Sequence, residues 1–405
     1  MENCDLHFEE DSCLVRGNSM IITPSEAAAV GAVCAKAAAN TGSGRIFVCH
    51  SGSEGAASLA HAFASGAAAS GADCIFAGKT AAGSGVFAGK SYGCGIICHI
   101  HTEITAVFRL FSGDGLPLYR STEEHIEKLL RASGGVSSLP YSHFGSITAV
   151  DGTDGLYIAQ LEKKLSDKFK GVYADVYSSS REITEIAEKL LESRNDRSGE
   201  RIAFRISNDG RKLSAYTEKD GYVFRDKLEL ICRKALLEKG IDAAVCGKAA
   251  RVLEKMAADH GRRVISCGGA VCRNENAPSE KCLAARRAAA EQSFAYDGIA
   301  LMLTVLEILS SRGITLGEAA AEIPSYSNVS RYIPVSSPSE LLKRLCSTGN
   351  SLSPDGVLSD GEGGRVVIRP VRTGKGIMLD VESYAMEAAS ELCDFYSEVI
   401  KRNMQ

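Results

Sequence analysis

Between residues 23 and 131, short apolar runs of strand length alternate with helical stretches built largely of alanine. This alternation narrows the fold more than any other feature. Thr23-Pro24-Ser25-Glu26 reads as a helix start, with proline in the first turn and a carboxylate at the positive end of the helix dipole, and the Ala-rich run continues it to Ala39. Arg45–Cys49 is a buried strand. Ala56–Ser70 is a helix of small residues able to lie close against a sheet. Ala72–Phe76, Gly95–Cys98 and Phe108–Phe111 read as strands, the last closed by the turn Ser112-Gly113-Asp114-Gly115, and Glu123–Arg131 as a helix. The order predicts a largely parallel α/β layer.

The pattern recurs downstream. Gly171–Tyr177, Arg201–Ile206, Ala243–Cys246 and Val264–Ser266 read as strands. Ile183–Glu192, Leu228–Glu238, Ala249–His260 and Asp297–Leu309 read as helices. The last quarter changes texture: Pro324–Pro338 reads as a Pro- and Ser-rich linker, Gly356–Ile368 as hairpin strands around Asp360-Gly361, and Ala385–Lys401 as a closing helix. The fold class expected is α/β, with three similar mixed α/β domains and a smaller C-terminal α+β domain.

Formal net charge is −4, so no basic excess favours nucleic acid or an anionic membrane. The longest apolar stretches, Ala27–Val33 and Ile299–Leu306, fall far short of the ~20 residues of a membrane span. Residues 1–12 are acidic and polar, unlike a secretory leader. The 14 cysteines are scattered along the chain, and Cys34, Cys49, Cys74 and Cys232 sit in apolar runs as small hydrophobes. The expectation is a reduced, cytoplasmic protein.

Several segments together resemble the α-D-phosphohexomutase superfamily of phosphomannomutases, phosphoglucomutases and phosphoglucosamine mutases. Leu14-Val15-Arg16-Gly17 and Ile22-Thr23-Pro24 look like the family's opening G-x-R-G and L-T-P. Val48–Asp73 aligns without a gap on V-G-R-D-T-R-x-S-S-P-x-L and its helix. Gly95–Cys98 and Phe108–Leu118 flank the place of the phosphoserine loop, and Ile202–Gly221 matches the hairpin around the metal loop. Glu291-Gln292-Ser293 before Asp297-Gly298 looks like the sugar loop G-G-E-x-S-G-H, and Val366–Thr373 like the phosphate loop R-P-S-G-T. The resemblance implies four domains around a central cleft: 1–143 with the phosphoserine loop, 144–227 with the metal loop, 228–325 with the sugar loop, and 326–405 with the phosphate loop. It also implies a phosphoserine that exchanges a phosphoryl group with a hexose phosphate beside a metal ion.

The loops depart from that pattern. Where the family has T-A-S-H-N-P, this chain has Cys98-His99-Ile100-His101-Thr102-Glu103-Ile104-Thr105, about two residues shorter and without serine. At that position His101 could in principle carry a phosphoryl group, and Thr102 could too. Cys94, Cys98, His99 and His101 match no standard zinc spacing. The metal loop D-G-D-x-D-R has become Ser207-Asn208-Asp209-Gly210-Arg211-Lys212, with Asp209 its one carboxylate. R-D-T-R has become His50-Ser51-Gly52-Ser53, though Arg16 is kept. Glu291 and Ser293 keep the sugar-contact positions. Phe294 and Ala295 replace Gly and His, Phe294 being large enough to fill a sugar's place; alternatively Ser293 is a helix cap. Arg369, Pro370 and Thr373 of the phosphate loop remain, and Arg372 and Lys375 add positive charge.

The expectation is a mutase-like protein without mutase activity, binding a hexose phosphate in a regulatory role or pairing with a protein partner. The alternative is an active mutase using His101 or Thr102. No cofactor is expected, Mg²⁺ entering only under that alternative.

Overall fold

The computed structural model describes residues 6–17, 21–132, 139–246, 249–267, 279–346, 351–353, 356–361, 363–371 and 376–404. Along the chain the elements are β1 (Leu6–Phe8), β2 (Cys13–Arg16), α1 (Pro24–Asn40), β3 (Arg45–His50), α2 (Glu54–Ala69), β4 (Asp73–Lys79), α3 (Ala82–Ser91), β5 (Ile96–Thr102), β6 (Ala106–Ser112), α4 (Arg120–Ala132), β7 (Ile147–Ala149) and α5 (Thr153–Glu162). There follow β8 (Val172–Tyr177), α6 (Arg181–Leu191), β9 (Glu200–Ile206), β10 (Leu213–Thr217), β11 (Gly221–Phe224), α7 (Arg225–Glu238), β12 (Ala243–Val245), α8 (Arg251–Asp259), β13 (Val264–Ser266), α9 (Glu280–Glu291), α10 (Gly298–Arg312) and α11 (Leu316–Ala321). The last are β14 (Ser327–Ile333), α12 (Pro338–Cys346), β15 (Ser351–Ser353), β16 (Gly356–Gly361), β17 (Gly364–Pro370), β18 (Ile377–Ser383) and α13 (Met386–Met404). They form two units, Met1–Ala235 with Asn274–Glu322, and Leu236–Arg273 with Ile323–Gln405.

The first unit carries a seven-stranded sheet in the order β1-β2-β6-β5-β3-β4-β7. It is not largely parallel. β3 pairs parallel with β4 and β5, and β4 with β7, but β5–β6, β2–β6 and β1–β2 are antiparallel. The physical reason lies in the connections: helices separate the parallel strands, whereas only Glu103-Ile104-Thr105 separates β5 from β6, too few residues for a crossover. Both faces of the central strands are buried, which explains their continuous apolar runs. Ile46, Val48, Cys98, Ile100, Phe108 and Leu110 share a core with α1, α2 and α4. Phe47, Cys49, Ile97 and Phe111 face the other way, with Ala88 of α3.

α1 begins as its sequence suggests: Thr23 and Glu26 form a reciprocal capping box behind Pro24. A second sheet, β11-β10-β9-β8, is antiparallel except for the parallel β8–β9 pair. α10 is apolar nearly all round and mostly buried.

In the second unit β12 and β13 pair in parallel, and β14-β18-β17-β16-β15 form an antiparallel sheet. Its core joins Val366, Ile368, Leu379 and Val381 to Leu345 of α12 and Cys393 and Ile400 of α13. The expected linker over Pro324–Pro338 is corrected here. It holds β14, which pairs with β18 from Ser327↔Ser383 to Ile333↔Ile377. β14 is an edge strand, where flanking prolines interrupt no ladder.

Among the described residues no helix is long and apolar enough to cross a membrane. Cys13, Cys34, Cys49, Cys74, Cys94, Cys98, Cys232, Cys346 and Cys393 are free cysteines. Burial raises the thiol pKa of Cys34, Cys49 and Cys232, and takes that of Cys74 up to about 12.

Candidate functional site

The phosphoserine-loop position is a β-hairpin. β5 runs through His99 and His101 to Thr102, and β6 returns from Ala106, with Thr102 paired to Ala106. The Thr102 hydroxyl lies 2.5 Å from that of Ser53, which also caps α2. Glu103 at the hairpin tip accepts a hydrogen bond from Asn208, tying it to the metal-loop position.

That position, Ser207–Lys212, is a tight turn. Gly210 has φ +70°, a conformation suited to glycine, and its N–H bonds Ser207 O at 2.8 Å. Asp209 accepts from the Ser207 hydroxyl and, at 3.1 Å, from the Arg211 N–H. The Arg211 guanidinium lies 3.3 Å from the Asp209 carboxylate and 3.0 Å from that of Asp11. Burial alone would raise the Asp209 pKa. The Ser207 hydrogen bond and the charges of Arg109 and Arg211 outweigh it, and the carboxyl stays below its ordinary range. These residues do not fit a divalent cation: a fixed positive charge already sits against the one carboxylate. Among the described residues no group of three His, Cys, Asp or Glu side chains is placed to hold a metal.

Beneath the turn, on the α3 face of the sheet, lie His99, His101 and Arg109. His99 and Arg109 are cross-strand partners, and the two imidazoles stack with centroids 6.1 Å apart. Arg109 is 1% exposed. Its guanidinium donates to Asp209 O at 3.3 Å and Tyr296 O at 3.4 Å, and lies 4.8 Å from the Phe111 ring centroid. Among the described residues its Nε, and Nδ1 of both histidines, have no hydrogen-bond partner. Burial lowers the pKa of His99 to about 3 and also lowers that of His101, where the facing Asp209 opposes it and Arg109 and Arg211 add to it. Both rings are therefore neutral at pH 7.

Glu291 ends α9 and Ser293 opens the next turn, both exposed. Ser293 does not cap α10. Asp297 does, accepting from the N–H groups of Ile299 and Ala300 and from the Tyr157 hydroxyl. Phe294 is buried with the Arg233 guanidinium 5.7 Å from its ring centroid. Glu291, Ser293 and Arg109 line one cavity of about 450 Å³ with α3 and α5. His101, Thr102 and Asp209 are not among its walls.

In the second unit Arg369 lies on β17, and its Nε donates to Asp380 at 2.8 Å. Arg372, Thr373 and Lys375 lie outside the described residues. In the first unit, Arg16 pairs with Glu26 at 2.8 Å.

Sequence reasoning missed Arg109, hidden inside the run Phe108–Phe111. A lone arginine between apolar residues of a two-sided buried strand was the available signal.

The fold is that of solved phosphoglucomutase and phosphomannomutase structures. Three solved relatives make the likeness concrete. A phosphoglucomutase/phosphomannomutase family protein of Burkholderia thailandensis matches 100% of this chain and 98% of its own, at TM-score 0.73 and 15% identity. A phosphomannomutase-like protein of Thermus thermophilus matches 98% and 100%, at 0.68 and 13%. The N-acetylphosphoglucosamine mutase of Aspergillus fumigatus, solved with GlcNAc-6P and magnesium, matches 89% of this chain and 78% of its own, at 0.51 and 12%. No sequence-family profile matches the chain, and no curated protein matches it by sequence.

Proposed function

We propose that this phosphohexomutase-fold protein does not run the mutase reaction and works by binding a hexose phosphate, in a regulatory role or alongside a protein partner. The observation that carries the reading is the Arg211 guanidinium against Asp209. Phosphoryl transfer between sugar oxygens needs an acceptor and a mobile cation to spread the developing charge. Here the cation is covalently part of the chain, and the phosphoserine position is a strand end without serine.

In the first unit Glu291 and Ser293 are assigned to sugar hydroxyls; in the second unit, taken by itself, Arg369, Arg372, Thr373 and Lys375 are assigned to a phosphate. Arg369 must exchange its bond to Asp380 for a phosphate oxygen, so modest affinity is expected. The division into domains at 143, 227 and 325 belongs to the same proposal. A cytoplasmic setting is supported by the free, buried thiols.

The test is a coupled assay with glucose 1-phosphate and mannose 1-phosphate, Mg²⁺ and a bisphosphate primer, with intact-mass analysis of the protein. No turnover and no added phosphate are expected. Turnover abolished by His101→Ala would replace this reading with an active mutase using a histidine acceptor. Calorimetry with a hexose 6-phosphate, repeated on Arg369→Ala, tests the binding half.

A further inference from the structure

The cavity of about 450 Å³ in the first unit lies in the size range of small-molecule sites. Its walls are largely apolar. Phe87 of α3 and Tyr157 of α5 stand with ring centroids 6.2 Å apart, and Leu161 and Phe111 add to the lining. Deep in the cavity the carboxylates and the tyrosine hydroxyl are already committed, and among the described residues there Arg109 alone keeps an unmet side-chain N–H. The Tyr157 hydroxyl bonds Asp297, Asp297 caps α10, and Asp114 takes a two-nitrogen contact from Arg286 at 2.6 and 2.9 Å. The several hydroxyls of a sugar pushed to this depth would lose water and find one unmet donor, that of Arg109. An aromatic ring would lose nothing and meet other rings.

The charge of the cavity is the second observation. Lys90 and Lys164 stand exposed at the rim, and the buried Arg109 forms part of the wall. Among the described residues none of the three has a carboxylate within ion-pair distance, although Arg109 feels the more distant charge of Asp209. Of the three acids lining the cavity, Asp114 is paired with Arg286, Asp297 is buried, hydrogen-bonded and within the field of Arg109, and Glu291 stands at the mouth. Exposed lysines need no counter-charge, but the buried guanidinium, held by two long bonds to carbonyls, has no carboxylate in direct contact.

We propose that this cavity binds a small aromatic anion, a ring bearing a phosphate or a carboxylate. The ring packs against the α3 and α5 aromatics, and the anion takes its charge partners from the rim lysines and Arg109. Glu291 and Ser293 at the mouth belong to both readings, and the aromatic, largely apolar depth of the cavity is what separates this ligand from a hexose phosphate.

The experiment is calorimetry of the full chain with phenyl phosphate, benzoate and glucose 6-phosphate as separate probes. One-to-one binding of phenyl phosphate or benzoate is expected, the stronger of the two identifying the head group. Affinity should fall with salt and drop at least tenfold in Lys90→Glu/Lys164→Glu, whose exposed sites leave folding intact. Leu161→Trp, which fills the cavity from its partly exposed side, should abolish binding. The proposal is overturned if neither aromatic probe binds at millimolar concentration, if both variants bind as the native chain does, or if glucose 6-phosphate competes for the cavity with equal affinity.

Discussion

The α1–α2 layer and the hairpin–turn corner of the first unit are built on opposite terms. In the layer, specification is by volume. Gly66 brings α2 so near α1 that a Cβ there would lie 1.9 Å from Ala28 O, and Gly31 has the same relation to Phe63 O. Little in that packing depends on chemistry beyond the residues being small and apolar. In the corner, specification is by charge. Asp11, Asp209 and Arg211 satisfy one another, while His99, His101 and Arg109 beneath them are left with unmet nitrogens. A fold can persist at 15% identity because the layer tolerates any sequence of the right sizes. Catalysis does not persist that way, since it needs particular groups at a few points.

The sharpest way to break this contrast is Gly66→Ala. Backbone cannot move aside as a side chain can, so a loss of about 3 kcal/mol in urea unfolding is expected. A near-neutral result would mean the helix pair is not volume-specified. Next is acid. The His99 pKa is held at about 3, below its unfolded value, so the unfolded chain binds more protons between about pH 6.5 and 3. Stability is complete above that window and is lost as pH falls through it, at up to about 1.4 kcal/mol per pH unit. His99→Gln should flatten the slope, and an unchanged slope would assign acid sensitivity elsewhere. Asp209→Asn should cost about 1–2 kcal/mol by thermal or urea unfolding, since Arg211 keeps Asp11 as a partner. A cost equal to that of Gly66→Ala would erase the distinction between layer and corner. The smallest effect is expected from Asp11→Asn, about 0.5 kcal/mol, because that carboxylate is 42% exposed and its pair is screened.

The layer was far more legible than the corner. Strands such as β3 and β6 announced themselves because burial on both faces forces unbroken apolar runs. α3 did not. Ala82–Ser91 contains three glycines, poor helix formers, and shows little periodicity. Those glycines serve the packing instead: a Cβ on Gly85 would lie 2.4 Å from Cys49 Sγ, so α3 rests directly on β3. β14 was obscured by its flanking prolines. In the corner, the loss of serine and of carboxylates could be read off the sequence. The reach of Arg211 to Asp11, 200 positions away, could not, because no local pattern encodes a pairing between two turns.

The Arg211 clamp also bears on redesign, as a question of the order in which changes are made. Converting Arg211 to aspartate first would set Asp11, Asp209 and the new residue together with no cation to reconcile them. Placing serine in the hairpin first would present a nucleophile facing a fixed guanidinium. On the binding-only reading proposed above, either change alone sets like charges together or leaves the fixed guanidinium in the turn, so a transferase would need both changes at once. The corner behaves as a ratchet: its present arrangement is easy to keep and hard to leave one mutation at a time.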